Sequence, residues 1–294
     1  MPHADADGVR LYYEEAGRGT PIVFVHEFAT DHRGWEPQMR YFSRRYRCVA
    51  FNARGYPPSD VPDDPEAYSQ KIAVEDIVHV MRHLKIDKAH IVGLSMGANA
   101  ALQFGLDHAG MALSLVVAGG GYGSMREVTE QFRADARRMA DRYEKEGSLA
   151  VAEFYSQSPS RVQYRDKDPR GWAEFRALLA QHDAKGAALT MRGVQARRPS
   201  FWEFEDALRR MAVPLLVVSG DEDDWCLDAS VYLKRTAPAA ALLVLPKTGH
   251  NINQEDPDLF NRSLQDFLAT VEAGRWISRD LGVLGGSAFF AAEE

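Results

Sequence analysis

Short apolar stretches rich in β-branched residues alternate with segments of helical spacing in the first half of the chain. Four of them have the length of a buried strand, at residues 22–25, 48–51, 90–92 and 113–117. Between them, residues 72–84 carry apolar side chains three and four positions apart, which is typical of a helix with one buried face. This alternation predicts right-handed βαβ units, and therefore a mostly parallel sheet with helices on both faces.

The alternation is interrupted after three glycines at 119–121 and resumes only at residue 213. The intervening segment is charged, favours helices and carries scattered aromatic side chains, which predicts a helical cap inserted into the core. Most of these aromatic side chains are expected to pack the cap together, and a few to line a ligand cavity. Two more strands and a closing helix follow, at residues 215–219, 241–245 and 257–271.

The chain therefore divides into an α/β core, a cap and a tail. We predict the core at residues 1–123 and 211–275, the cap at 124–210 and a separate tail at 276–294. Two interpretations of the tail stay open: it is loosely attached, or it packs on a second copy of the chain in a homodimer. Its apolar side chains between glycines are Leu281, Val283, Leu284, Phe289 and Phe290.

The charge balance is mildly acidic, because 35 basic and 42 acidic side chains give a net charge of −7. Nucleic-acid binding needs clustered basic side chains, whereas the arginine pairs of this chain are scattered and are expected on a solvated surface. We therefore expect no nucleic-acid partner. The pairs are Arg44 with Arg45, Arg137 with Arg138, Arg197 with Arg198, and Arg209 with Arg210.

Cysteine content and the N-terminus narrow the class of protein further. Cys48 and Cys226 are the two cysteines, too few for a disulfide framework or a cysteine-based zinc site. The N-terminus lacks the basic and apolar regions of a secretory signal, and no apolar stretch has the length of a membrane span. We expect a soluble cytoplasmic protein with no metal, cofactor or membrane partner.

The pentapeptide Gly93-Leu94-Ser95-Met96-Gly97 lies between a predicted strand and a predicted helix. Strand, tight turn and helix in this order are what a nucleophile elbow requires. The glycines let the chain pass close to its neighbours while the serine adopts a strained backbone conformation with its hydroxyl exposed. The N–H groups at the start of the helix favour a developing negative charge at the same point. Ser95 is therefore the candidate nucleophile.

A serine nucleophile needs a general base, and the base needs an acid that orients it. His250 follows the last predicted strand, and Gly249 before it leaves room for the ring to approach the serine. The order serine, acid, histidine fits this architecture, in which such loops follow the carboxyl ends of parallel strands. The loop after residue 219 offers several acids, namely Asp221, Asp223, Asp224 and Asp228.

These motifs resemble the α/β-hydrolase superfamily, and the resemblance extends from residue 22 to about residue 267. Residues 31–38 and 52–59 are most similar to the serine esterase and lactonase branch that includes 3-oxoadipate enol-lactonases. The resemblance implies an α/β-hydrolase fold with an inserted helical cap. In similar sequences the acid lies three residues after the glycine that ends the strand, which selects Asp223; Asp221 and Asp224 remain alternatives.

Acyl transfer also needs two hydrogen-bond donors aimed at the oxyanion. One is the backbone N–H of Met96, directly after the nucleophile. The resemblance places the other on Phe28, in a loop usually written His-Gly-x, but here Glu27 occupies the glycine position. Two interpretations of Glu27 stay open. Its carboxylate faces solvent or pairs with an arginine, or it lies in the pocket, where it orients water, acts as an auxiliary acid or base, or repels anionic substrates.

Other residues near the predicted strand ends are expected to have structural roles. The resemblance implies that the His26 ring bonds loop backbone. Arg54 and Ser59 are expected to anchor a loop. Cys226 is expected in the pocket wall or in packing, because no motif places a histidine beside it.

The sequence thus predicts a cofactor-free serine hydrolase that cleaves a small carboxylic ester or lactone through an acyl-enzyme. Ser95 is the expected nucleophile, His250 the base and Asp223 the acid that fixes the imidazole tautomer. Two alternatives stay open. One is carbon–carbon hydrolysis, or another cofactor-free reaction, on the same scaffold. The other is a non-catalytic receptor that binds a small ligand in the same pocket.

Overall fold

The computed structural model describes residues 1–282, and these contain one eight-stranded sheet. The spatial order is β1-β2-β4-β3-β5-β6-β7-β8, and every pairing from β4 to β8 is parallel. The six strands predicted from the sequence are all present. The eight strands are β1 (His3–Ala6), β2 (Val9–Gly17), β3 (Pro21–Val25), β4 (Arg47–Phe51), β5 (Ala89–Leu94), β6 (Ala112–Ala118), β7 (Leu215–Gly220) and β8 (Ala240–Leu245).

The two N-terminal strands have no counterpart in the sequence prediction. β1 pairs antiparallel with β2, which pairs antiparallel with β4 in a register that sets Tyr13 opposite Phe51. These strands lie at the edge of the sheet, and β2 keeps several polar side chains partly exposed. Their composition is therefore more polar than that of the central strands, whose side chains are buried on both faces.

Helices cover both faces of the sheet. α2, α3 and α9 pack on one face, and α1 and α11 on the other, so a hydrophobic cluster lies on each side. Among residues 1–282, no helix is both long and apolar enough to cross a bilayer. The helices are α1 (Glu36–Phe42), α2 (Gln70–His83), α3 (Met96–Asp107), α4 (Thr129–Tyr155), α5 (Val162–Lys167), α6 (Pro169–Leu179), α7 (Ala184–Thr190), α8 (Glu205–Arg210), α9 (Asp224–Thr236), α10 (Ile252–Glu255) and α11 (Pro257–Glu272).

The helices α4 to α8 lie between β6 and β7 and add no strand to the sheet. We propose residues 124–210 as a cap over the carboxyl ends of the strands. A third hydrophobic cluster joins α4, α6 and α7 to the loops that follow β3 and β4. Phe201 and Leu208, near the end of this segment, instead belong to the hydrophobic cluster on the face of the sheet that α2, α3 and α9 cover.

The start of the C-terminal tail packs on its own chain. The Trp276 ring lies edge-on to Phe267, and its indole N–H donates to the Ala239 carbonyl oxygen at 2.7 Å. The backbone N–H of Arg279 donates to the Pro238 carbonyl oxygen at 3.1 Å. The two interpretations of the tail concern mainly its apolar side chains at 283–290, which lie outside the described residues.

Candidate active site

Ser95 occupies a strained turn between β5 and α3. Its φ of 54° and ψ of −109° lie in a region that residues with a Cβ rarely adopt. A Cβ at Gly93 would overlap the Gly97 carbonyl, and a Cβ at Gly97 would overlap the Val25 carbonyl. The Ser95 N–H is held by the Ala118 carbonyl oxygen at 2.8 Å. The two glycines therefore allow the close chain crossing that sets the serine in this turn.

The side chains of Ser95, His250 and Asp223 form one chain of hydrogen bonds. His250 Nε2 lies 2.8 Å from Ser95 Oγ, and His250 Nδ1 lies 2.7 Å from Asp223 Oδ2. Because an ionised carboxylate only accepts, Nδ1 carries the proton and Nε2 presents its lone pair to the serine. Burial alone raises the pKa of the 1% exposed Asp223 carboxyl, but the adjacent His250 brings that pKa below its ordinary value.

The two alternative acids lie elsewhere. The Asp221 carboxylate accepts the backbone N–H of Thr248 at 3.1 Å. Asp224 is exposed at the start of α9. Of the three candidates, Asp223 is therefore the one that contacts the His250 ring.

The loop that carries His250 is fixed by three successive backbone N–H groups. Gly249 and Asn251 donate to the Glu255 carboxylate at 2.8 and 3.0 Å, and His250 donates to the Ser160 carbonyl oxygen of the cap at 3.2 Å. These bonds set the ring between serine and acid. Sequence reasoning missed Glu255, because a single acid on a short helix carries no recognisable motif.

Glu27 is buried against an arginine of the cap. The Arg161 guanidinium donates to both carboxylate oxygens, at 3.0 and 2.6 Å, and the Asn251 amide donates to one of them at 3.1 Å. Arg161 also bonds the Asn251 oxygen and the Tyr155 hydroxyl. Burial alone raises the pKa of the Glu27 carboxyl, but the paired Arg161 guanidinium holds that pKa below its ordinary value. This geometry favours the pairing interpretation, and no sequence pattern indicates Arg161 as the partner.

The two residues predicted to supply the oxyanion donors, Met96 and Phe28, lie near Ser95 in the chain or in the cavity. Met96 is the first residue of α3, and Phe28 lines the same cavity as Ser95. Within residues 1–282, neither backbone N–H donates to a protein acceptor. The Phe28 carbonyl accepts the Tyr56 hydroxyl at 3.0 Å, which fixes the peptide chain at this residue. That these two N–H groups bind an oxyanion remains a prediction.

The His26 ring hydrogen-bonds the backbone of two loops, those that follow β3 and β4. Its Nδ1 lies 2.6 Å from the Glu27 carbonyl oxygen, and its Nε2 accepts the Ala53 N–H at 3.0 Å. Burial lowers the pKa of His26, so the ring is neutral in this arrangement. Arg54 also has a structural partner, because two N–H groups of its guanidinium donate to the Asp76 carboxylate.

Ser59 and Cys226 are also held by local contacts. The Ser59 hydroxyl donates to the Asn52 carbonyl oxygen at 2.7 Å and accepts the Tyr12 N–H at 2.8 Å. The Cys226 thiol lies 3.4 Å from the Gly119 carbonyl oxygen and is fully buried. Both residues therefore have partners that account for their positions without a catalytic role.

His182 of the cap packs edge-on against Tyr56, and neither of its ring nitrogens has a hydrogen-bonding partner in residues 1–282. Burial lowers its pKa from 6.5 to about 4. The unfolded chain binds a proton below pH 6.5 that the folded chain does not, so stability is present above pH 6.5 and is lost as the pH falls towards 4. A shift of this size corresponds to about 3 kcal/mol.

His182→Leu should therefore flatten the acid loss of stability. We expect the unfolding free energy, measured by urea titration between pH 7 and pH 4, to fall by about 3 kcal/mol less in this variant. His83→Leu, which removes an exposed histidine, serves as the control and should leave the slope unchanged. Equal slopes for all three proteins would contradict the prediction.

One group of side chains in the described part of the chain has ligand atoms close enough for a metal ion. These are Asp223, Cys226 and His250, with ligand atoms within 4.8 Å of one another. The Asp223 carboxylate and His250 Nδ1 are already bonded to each other. Burial raises the pKa of the Cys226 thiol well above its ordinary value, so the thiolate that a metal prefers is disfavoured.

A cavity of about 260 Å³ opens between the cap and the strand ends, beside Ser95 and His250. Its cap side is largely apolar. Of the cap aromatics, Tyr143 and Phe175 are instead fully buried in packing. The apolar lining contributed by the cap comes from Phe132, Ala136, Met139, Phe154, Tyr155, Pro159 and Met191.

Residues 22–263 match the alpha/beta hydrolase family. The chain belongs to this family. The 2-hydroxy-6-oxo-6-phenylhexa-2,4-dienoate hydrolase of Burkholderia cepacia is 27% identical over 282 residues, covering 88% of this chain and 91% of the relative. The 3-oxoadipate enol-lactonase 1 of Acinetobacter baylyi is 24% identical over 252 residues, covering 85% of this chain and 89% of the relative.

A solved structure shares the fold of this α/β-hydrolase over most of the chain. The crystal structure of the enol-lactonase from Burkholderia xenovorans LB400 superimposes with a TM-score of 0.80 at 24% identity, covering 91% of this chain and 100% of that chain. The predicted α/β-hydrolase fold and the resemblance to enol-lactonases are therefore confirmed. The protein is an enzyme of the hydrolase class that this family represents.

Proposed function

We propose that this α/β-hydrolase cleaves small carboxylic esters or lactones through an acyl-enzyme formed on Ser95. The observation that supports this most directly is the chain of hydrogen bonds from Asp223 through His250 to the serine hydroxyl, 2.7 and 2.8 Å long. A serine hydroxyl on a strained elbow, with an imidazole nitrogen within hydrogen-bonding distance of it, is the arrangement that nucleophilic catalysis requires.

The steps follow from these contacts. Ser95 Oγ attacks the substrate carbonyl carbon while His250 Nε2 takes the serine proton, and the N–H groups of Phe28 and Met96 bind the oxyanion. The bond from the carbonyl carbon to the leaving oxygen then breaks and His250 protonates that oxygen, so an ester releases its alcohol, whereas a lactone ring opens and keeps the new hydroxyl on the acyl group. Water attacks the acyl group in the second half, with His250 as base, and the acid and free serine are released. Asp223 holds the imidazole tautomer and stabilises its charged form throughout.

The cavity supports a small substrate. Its volume of about 260 Å³ is near the lower end of ligand pockets, and its cap side is mainly apolar. The similarity to an enol-lactonase of Acinetobacter baylyi supports lactones as well as open esters. We propose that the cap selects the acyl and alcohol parts by the shape of this wall.

Covalent trapping tests the proposal. Wild-type enzyme treated with a fluorophosphonate probe should gain one phosphonyl group, and peptide mass spectrometry should place it on Ser95. Rapid mixing with 4-nitrophenyl butyrate should release a burst of nitrophenolate close to one equivalent of enzyme, because acylation by this activated ester is faster than deacylation.

Two serine variants make the assignment specific. Ser95→Ala should lose the label entirely. Ser158→Ala removes a different hydroxyl that lines the same cavity and should keep the label. A label on any residue other than Ser95, or labelling that persists in Ser95→Ala, would overturn the proposal.

Carbon–carbon hydrolysis is the second candidate, supported by the similarity to the dienoate hydrolase of Burkholderia cepacia. The same serine, histidine and acid would serve it. A panel containing short-chain esters, lactones and a 2-hydroxy-6-oxodienoate separates the two. Turnover of the dienoate alone, with no ester or lactone cleaved, would favour this candidate.

A further inference from the structure

Arg198 lies in the wall of the active-site cavity, at the end of the cap. It is 6% exposed, whereas Arg197 beside it is exposed. The expectation that the arginine pairs lie on a solvated surface is therefore wrong for this residue. The cavity that Arg198 lines is the one that Ser95 and His250 line.

The surroundings of the Arg198 guanidinium are polar but uncharged. One N–H donates to the Tyr122 carbonyl oxygen at 2.7 Å and another to the Gln195 side-chain oxygen. The cation also lies over the Phe132 ring, 4.5 Å from its centroid. These two hydrogen bonds use two of the five N–H groups that a guanidinium carries.

No carboxylate neutralises this charge within residues 1–282. Burial lowers the pKa of Arg198 to about 10, so the side chain remains a cation at neutral pH. A buried cation without a counter-ion is costly, because its water of hydration has been removed and no opposite charge replaces it. Arg161, the other buried arginine of the cap, differs because Glu27 neutralises it.

The other charged groups that line the cavity have partners of their own and do not neutralise Arg198. Asp223 bonds His250, and Asp135 accepts hydrogen bonds from Gln131 and Arg138 on its own helix. Within the described chain, Arg198 is the single arginine or lysine that lines the cavity. The cavity wall therefore carries, at this residue, a positive charge that no carboxylate of the described chain neutralises.

We propose that Arg198 binds a carboxylate of the substrate, so that the preferred ester or lactone carries a second, free carboxylate group. This inference rests on the proposed function and adds the chemical class of the substrate. The free carboxylate would accept the unused N–H groups of Arg198, while the scissile carbonyl lies at Ser95. The apolar side chains of the cap would then contact the chain between the two groups. Arg198 is thus a specificity-determining residue.

A matched pair of substrates tests this inference. The mono-4-nitrophenyl ester of adipic acid carries a free carboxylate, and its methyl ester has nearly the same shape without the charge. We expect wild-type kcat/KM to favour the free acid by about 10- to 100-fold, the range for a hydrogen-bonded buried charge. In Arg198→Met this preference should disappear through loss of activity on the free acid, with the methyl ester affected less than threefold. Arg198→Lys should keep part of the preference.

Arg137→Met is the control, because it removes the same charge from an exposed site on α4. It should keep the wild-type preference. Hydrolysis of both esters at equal kcat/KM by the wild type, or an unchanged ratio in Arg198→Met, would refute the substrate class while leaving the hydrolase intact. Failure to cleave either ester, with no label on Ser95, would instead refute the proposed function.

An inhibition measurement on the wild-type enzyme tests the inference even if Arg198→Met does not fold. Adipate should inhibit hydrolysis of the neutral methyl ester by wild-type enzyme competitively, and about tenfold more strongly than adipamide, which has nearly the same shape and no charge. Equal inhibition by both compounds would contradict a carboxylate site at Arg198.

Discussion

Ser95→Ala is expected to lower kcat for ester hydrolysis by about 10⁶-fold, the size of the loss when a serine nucleophile is removed from a working triad. The reason is that His250 then has no hydroxyl to activate, and water must attack the ester directly. Removal of one Oγ atom leaves the backbone bond to Ala118 in place, so the melting temperature should change little. Steady-state assays with 4-nitrophenyl butyrate and thermal unfolding measure the two effects.

Asp223 and Asp221 lie in the same loop, so their asparagine variants form a matched comparison. Asp223→Asn should lower kcat by about 10⁴-fold, because the amide no longer holds the proton on Nδ1 of His250. Asp221→Asn keeps an oxygen for the Thr248 N–H and should change kcat less than tenfold. Equal losses in the two variants would show that the orienting acid has been misassigned. Substantial turnover by Ser95→Ala would show the same for the nucleophile.

Local signals in the sequence are sufficient for the elbow. Ser95, its two glycines and the flanking strand and helix are contiguous, so their geometry follows from a short stretch of chain. His250 is predicted almost as directly, because it follows the last strand closely. Asp223 needed more information, since neighbouring aspartates have the same chemistry and similar positions. Only the spacing seen in related sequences separated them.

The sequence pattern could not identify contacts between residues that lie far apart in the chain. Glu27 and Arg161 are 134 positions apart, and one of them lies on a cap whose placement over the core is set by tertiary packing. Arg198 shows the same limit more sharply. Adjacent arginines look alike in a sequence, yet one is exposed and the other lines the cavity. Tertiary packing determines which of the two side chains is buried and loses its hydrating water.

Arg161→Met is expected to destabilise the protein by about 3–5 kcal/mol, the cost of leaving a buried charge without its partner. The Glu27 carboxylate would keep the Asn251 amide as donor but would lose both guanidinium bonds. For a chain of this size, the melting temperature should fall by about 10 °C. Arg209→Met breaks the pair with Glu205 on an exposed helix and should cost at most about 1 kcal/mol.

The pH dependence identifies Glu27 as the origin of the loss. In the wild type its pKa is below the ordinary 4.5, so the ion pair stabilises the fold above pH 4.5 and this contribution is lost as the pH falls through the folded pKa. Without Arg161, burial raises the pKa of Glu27 above 4.5, and the variant loses stability as the pH rises through that value. The difference in melting temperature should therefore be largest near pH 7 and shrink towards pH 4.

A double variant separates loss of the pair from loss of packing. Glu27→Met combined with Arg161→Met leaves no unpaired charge and should recover at least half of the stability, since apolar side chains of similar volume often replace a buried pair at little cost. A double variant as unstable as Arg161→Met, or a deficit that does not change with pH, would assign the loss to packing of the cap turn. That turn also supplies the Ser160 carbonyl to the His250 N–H, so the ion pair connects the stability of the cap to the position of His250.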